Sequence, residues 1–424
     1  MKAAREGDSL VQHAGQASRP DDSRVSAAGV SSVSAAATEG HSSAHGSRAS
    51  TLPREQRDGS AGVDAGRAAG TAIVAPMKRS YLMGRPHFAA GIATRAGGPA
   101  DDRPKSFTGR SQIDLMLKQW HGLMSTMQRH GADVLAAMPD RATPDLAFMG
   151  LAGLLIDRSA RRAVTDKAVI TPTLDGKSRP LQEALTRTIK ALGFRVESLE
   201  HRFGGAGDFF RCGRGYVFCC GPEAIDDDEA SGAKRLISMF TGKAAPWSSD
   251  PRLREPLAEM VPGAEVFQFT LVDPRYPRGD MVATSVGEER TVLMVNVKAL
   301  HEDAQRLILG RKARVSGTVI PVSEQDAAMY ATGCIQLPAR KPGEKPVIIL
   351  PDGVSSDLTG RLERAGCACE LVNLSEWIKK DRGGPAALVL DLGYLRDDRR
   401  SETTEIRDHR AAMRQGLDKE PTAG

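Results

Sequence analysis

The chain has 424 residues, 40% of them hydrophobic but only 4% aromatic, and 58 Lys+Arg against 53 Asp+Glu leave a net charge of +5. The apolar fraction excludes wholesale disorder, and the length suits two or three ordinary domains or one large domain with tails. The charge is too small and too evenly spread for nucleic acid, no apolar run reaches the roughly 18–20 residues of a membrane helix, and six cysteines do not read as a disulfide framework.

A soluble protein of a reducing compartment, the cytoplasm, is therefore expected. Residues 1–75 are dominated by Ser, Ala, Gly, Arg and Asp and have no helical or strand period. They cannot bury enough surface to offset their ordering entropy, so they read as a disordered tail. The segment lacks the roughly 7–15-residue apolar core of a Sec signal peptide, and Glu6, Asp8, Asp21 and Asp22 argue against a transit peptide. It is a linker or, alternatively, an export signal of a contact-dependent secretion system, which would make the protein a secreted effector without a Sec signal.

Residues 76–395 carry the folded pattern. Ser111–His130 places Ile113, Met116, Leu117, Trp120, Leu123, Met124 and Met127 on one helical face, with Ser111 as N-cap, Gly131 as C′ glycine and a strand at Ala132–Met138. The unit recurs at Pro180–Leu192 with Gly193 and strand Phe194–Leu199, and again at Leu358 and Leu362 with Gly366 and strand Cys369–Leu374. Further strands are predicted at Asp208–Arg211, Tyr216–Cys220, Val266–Val272, Met281–Val286, Thr291–Val295, Val347–Leu350 and Leu388–Leu392. One helix among short strands in each unit indicates an α/β repeat architecture, with one or two degenerate units. Residues 396–424 read as a charged tail in which Thr403–Arg414 forms a short exposed helix.

Six segments, YLMGRPHF (81–88), PDLAFMGLAG (144–153), RFGGAGDFF (202–210), LVDPRYPRGD (271–280), EQDAAMYATG (324–333) and LVNLSEWIKKDRGGPAALVLDL (371–392), resemble the pentein superfamily in family order. These are the guanidine-modifying dimethylarginine dimethylaminohydrolases, arginine deiminases and amidinotransferases. The resemblance covers most of residues 80–393 and implies a five-bladed β/α propeller with an axial site. It also implies a Cys nucleophile, a His acid/base and carboxylates that clamp a guanidinium.

The chemistry-bearing positions depart from that pattern. By the resemblance, the nucleophile position is Ala387, the His position is Arg278, the Glu position is Gly204 (or Gly205), and the polar residue of the second motif is Leu151. A methyl group has no nucleophilic lone pair, and a guanidinium cannot accept a proton at useful pH. Arg278 would also repel a guanidinium substrate by about 4 kcal/mol at roughly 4 Å and an effective dielectric near 20. Kept aspartates are Asp145, Asp208, Asp280 and Asp326. Turn-capping or a salt bridge, for instance Asp280 with Arg278, is the plain reading. Otherwise Arg278 turns the site toward a carboxylate or phosphate.

The expectation is a non-catalytic pentein-fold protein that binds a small amino-acid-like or anionic ligand or a protein partner at Asp208, Arg278, Asp280 and Asp145. The alternative is a divergent guanidine- or amide-modifying enzyme with relocated groups such as Cys220 and His201. Cys219 and Cys220 read as core, one to each side of their strand, and Cys212, Cys334, Cys367 and Cys369 as packing. His87 and His121 read as satisfied or solvated, and the acidic run Asp226–Glu229 as a helix N-terminus. No cofactor and no metal are expected. Gly204-Gly205-Ala206-Gly207 leads into a strand, which rejects a dinucleotide fingerprint.

Overall fold

Three helix–glycine–strand units stand where the periodicity put them: helices Arg110–Arg129, Arg179–Ala191 and Ser356–Arg364 run to Gly131, Gly193 and Gly366. Those glycines have φ of +87°, +85° and +88°, the left-handed geometry that ends a helix and redirects the chain into a strand. Residues 78–86, 110–157, 167–172, 179–222, 247–310, 315, 317–395 and 404–415 are described by this computed structural model. The tail 1–75, His87 and Asp226–Glu229 lie outside them.

Among the described residues the strands form five three-stranded sheets. The first joins β1 (Arg79–Gly84) and β2 (Asp133–Ala137) to β15 (Val389–Tyr394), and the second holds β3 (Leu154–Asp157), β4 (Lys167–Thr171) and β5 (Arg195–Ser198). The third holds β6 (Phe209–Cys212), β7 (Gly215–Cys220) and β8 (Val266–Thr270). The fourth holds β9 (Ala283–Val286), β10 (Val292–Val295) and β11 (Thr318–Pro321), and the fifth β12 (Ile335–Leu337), β13 (Val347–Pro351) and β14 (Ala368–Val372).

Every sheet repeats one pattern: an antiparallel pair, then a helical crossover to a parallel third strand. The first sheet is assembled from both ends of the folded region. There β15 pairs antiparallel with β1, Tyr81 opposite Asp391, and the Arg79 guanidinium holds Asp391 at 2.9 and 2.6 Å. This pairing gives the first sheet the same three-strand complement as the other four.

Strands β1, β3, β4 and β11 lie outside the strands read from the sequence. Pro321 ends β11, a position where its missing donor is tolerated. Asp208 and Met281, expected within strands, belong instead to the short turns that precede β6 and β9.

The main core gathers Trp120, Leu123 and Met127 of the first helix with Ile348, Leu350, Leu358 and Trp377. Trp377 donates its indole N–H to the Met116 carbonyl at 3.1 Å, which satisfies the polar edge of a buried ring. The C-terminal helix Thr404–Gln415 forms as predicted but is not exposed: Arg410 and Met413 are buried. Arg410 donates to the Leu192 carbonyl at 2.7 Å, and Arg414 holds Asp133 at 3.0 and 2.8 Å. The sequence pattern missed this because an arginine covers apolar surface with its stem while its head stays paired.

Candidate functional site: a ring of turns around the axis

Just before β3, β6, β9, β12 and β15, one edge strand of each sheet, the chain makes a 3₁₀ turn: Met149–Leu151, Gly205–Gly207, Gly279–Met281, Ala331–Gly333 and Pro385–Leu388. Each turn touches the next, and the last touches the first. They close a ring across the axis. Glycine makes the closure feasible, since a Cβ on Gly150 would lie 1.8 Å from the Ala386 carbonyl oxygen and one on Gly384 would lie 2.5 Å from that of Tyr330.

This ring collects the positions singled out in the sequence. Leu151, Gly205, Asp280 and Ala387 are members of four different turns, and Gly204 and Arg278 enter two of them. Ala387 presents its methyl group beside Gly383, whose φ is +115°. A Cβ built on Gly383 would lie 3.3 Å from that methyl and 2.6 Å from Arg278 Nη2. The guanidinium of Arg278 therefore occupies the space next to Ala387.

It is held there by Asp280: Arg278 Nε donates to Oδ1 at 2.9 Å and Nη2 to Oδ2 at 2.7 Å, a two-point pair with both residues 8% exposed. Burial opposes the charge of Arg278, but the adjoining Asp280 carboxylate wins and holds its pKa above the ordinary value. Of turn-capping and a salt bridge, the two plain readings, the Arg278–Asp280 salt bridge is present, and Arg278 is already neutralised.

Asp208, fully buried at the end of the second turn, has a structural place. Its Oδ1 accepts the Gly279 amide at 2.6 Å, and its Oδ2 accepts the Ser249 hydroxyl at 2.6 Å and that of Ser248. Burial pushes its pKa up to about 6, against the opposing pull of these hydrogen bonds. A carboxylate whose acceptor positions face the protein ties the second turn to the third. Asp145 is half-buried and takes Arg382 Nη2 at 3.4 Å. Asp326 anchors a different junction, accepting from Ser323 at 2.7 Å and from the Ser355 amide at 2.6 Å.

The thiols lie elsewhere. Cys219 and Cys220 point to opposite faces of β7, one into the main core and the other among Phe203, Phe209 and Phe218, as the sequence suggested. Burial pushes the Cys219 thiol up, and it pushes Cys212, Cys334 and Cys369 up to about 12. His201 is half-buried near Asp250. His121 stacks edge-on against Trp120 at 5.0 Å. Among the described residues no three His, Cys, Asp or Glu side chains gather as a metal site, and no helix is long and apolar enough to cross a membrane.

No protein-family model and no curated protein matches the chain by sequence. Solved structures do match by shape. AgrE in complex with ornithine and NAD+ superposes with a TM-score of 0.57 at 20% identity, over 76% of this chain and 40% of that one. The fold is that of the penteins. A second AgrE structure, a cysteine-to-alanine variant with L-arginine, is 21% identical over 76% of this chain and 41% of that one, again with a TM-score of 0.57. The product-bound N-terminal domain of ArgZ, a cyanobacterial arginine dihydrolase of the ornithine–ammonia cycle, gives 0.56 at 20% identity over 74% of this chain and 97% of that domain. The chain thus spans about two-fifths of the AgrE chain and nearly all of the ArgZ N-terminal domain.

Below the ring, an axial cavity of about 610 Å³ runs between β3, β6, β9, β12 and β15. Tyr81, Arg290, Thr332, Cys334 and Gln336 line it, and the sequence reading passed over all of them except Cys334, which it took as packing. Tyr81 lay within a quoted motif and Thr332 within another. For Tyr81 and Gln336 the available signal was a polar group on an otherwise apolar strand; Arg290 and Thr332 sit in turns and carried none.

Proposed function

We propose that this protein is a non-catalytic pentein: a scaffold that binds a small amino-acid-like ligand and does not cleave guanidines. One observation carries the reading. Beside the Ala387 methyl, where the resemblance puts an attacking sulfur, the ring holds a guanidinium of its own, that of Arg278, clamped by Asp280. By the route the resemblance implies, cleavage of a guanidine uses a thiolate that attacks the central carbon and a base that takes the proton. A methyl supplies no electron pair, and Arg278, paired and charged, accepts no proton. The buried thiols with raised pKa values offer no substitute nucleophile.

Amino-acid-like ligands are the natural class to test because the similar structures AgrE and ArgZ were solved with ornithine, L-arginine or reaction product. The test is a thermal-shift screen of arginine-like, carboxylate and phosphate compounds, run beside assays for citrulline, ornithine and ammonia release from arginine and methylated arginines. Binding without turnover is the expected result. Turnover at an ordinary enzyme rate, on the order of 1 per second or faster, overturns the proposal and favours a divergent enzyme of the same fold.

A further inference from the structure

The axial cavity below the ring holds more unmet hydrogen-bonding capacity than a packed interior tolerates. Tyr81 Oη, Thr332 Oγ1 and Gln336 Oε1 line it, are buried, and have no hydrogen-bond partner. Tyr81 and Thr332 are each only 1% exposed. Leaving such an atom unmet costs about 1–3 kcal/mol, so three around one cavity indicate a group that completes them.

The charges around the cavity leave one over. Asp280 holds Arg278, Asp391 holds Arg79, and Glu289 holds Arg211. Arg290 also lines the cavity, and its hydrogen bond is to a backbone carbonyl, from Nη1 to Ser285 at 2.7 Å. Burial lowers its pKa and Arg79 lowers it further, against the weaker pull of Asp391, which is itself held by Arg79. Tyr81 and Arg290 both line this cavity. Arg290 also sits at φ +58°, directly after Glu289 at +53°. Two successive non-glycine residues in the left-handed region carry a conformational cost of the kind found at ligand clamps.

We propose that this cavity binds a small organic carboxylate, its carboxylate held by the Arg290 guanidinium and the Tyr81 hydroxyl. The walls set the rest of the ligand. Leu155, Phe209 and Leu390 line the cavity, which suits an apolar or aromatic body. Thr332 Oγ1 and Gln336 Oε1 then meet an N–H or O–H donor elsewhere on the ligand. The volume lies within the roughly 300–1,000 Å³ of small-molecule sites. A doubly charged phosphate is less well matched, because a single cation is left to meet it. The inference does not rest on the ring being inert: turnover would end that reading and leave this one standing.

The test is calorimetric titration of the full chain with benzoate, 4-hydroxybenzoate, benzyl alcohol and inorganic phosphate. The two carboxylates are expected to bind at least tenfold tighter than benzyl alcohol and phosphate, with 4-hydroxybenzoate the tighter of the two. R290Q should weaken them at least tenfold and Y81F about threefold, both variants being checked for native circular dichroism. Failure of both carboxylates to saturate by 10 mM overturns the proposal, as does tighter binding of phosphate. Unchanged binding by R290Q overturns it too. If R290Q does not fold, Y81F decides alone, and wild-type affinity in Y81F overturns the assignment.

Discussion

Replacing Arg278 with alanine tests the central geometry directly. The variant strands the Asp280 carboxylate, 8% exposed, beside Gly383 and Ala387 with its two-point partner gone. Breaking one side of a buried pair costs about 3–5 kcal/mol, because the remaining charge stays desolvated without compensation. It also vacates a guanidinium-shaped space that opens next to a carboxylate. Methylguanidine should therefore restore stability in R278A: at ten times its dissociation constant the gain is about 1.4 kcal/mol. Urea denaturation followed by circular dichroism measures both effects across wild type, R278A and R278A/D280A. R278K should rescue only partly, since an ammonium cannot make the fork-shaped contact. The reasoning fails if R278A loses under 1 kcal/mol, or if methylguanidine stabilises wild type and the double variant as much as R278A.

Three other outcomes are expected. Asp208 has a folded pKa of about 6, above its ordinary 3.8, so the native state binds the extra proton and stability falls as pH rises through that window; the loss is about 3 kcal/mol, and D208N should flatten the pH 4–6 slope of the urea midpoint. Gly366→Ala should cost about 1–2 kcal/mol by the same assay, because φ is +88° while a Cβ there meets nothing within 4 Å, making the penalty one of backbone alone. Iodoacetamide at pH 7.5 should label the native protein at Cys369 or not at all, whereas the unfolded chain should take six labels by intact mass.

Much of this fold was legible in the sequence because its signals are local. The 3.6-residue stripe through Trp120, the C′ glycines at 131, 193 and 366, and the strands that follow them depend on neighbours a few residues away. So did the ion pair of Arg278 with Asp280, two residues apart. The motifs also named Leu151, Gly204, Arg278 and Ala387 as members of one site, without saying how they meet. Only the tertiary structure could decide that Asp208 faces Gly279, Ser248 and Ser249 rather than a ligand, since those partners lie 40 to 71 residues away. The closure by β15 onto β1 and the burial of the C-terminal helix were likewise hidden. The axial cavity was the most hidden of all: Tyr81 on a central strand, Gln336 on an edge strand and Arg290 and Thr332 in turns share no spacing, and line one cavity only because five sheets face it. Spacing along the chain fixes which face of an element is buried, whereas a cavity is made by elements whose separation in sequence carries no periodic signal.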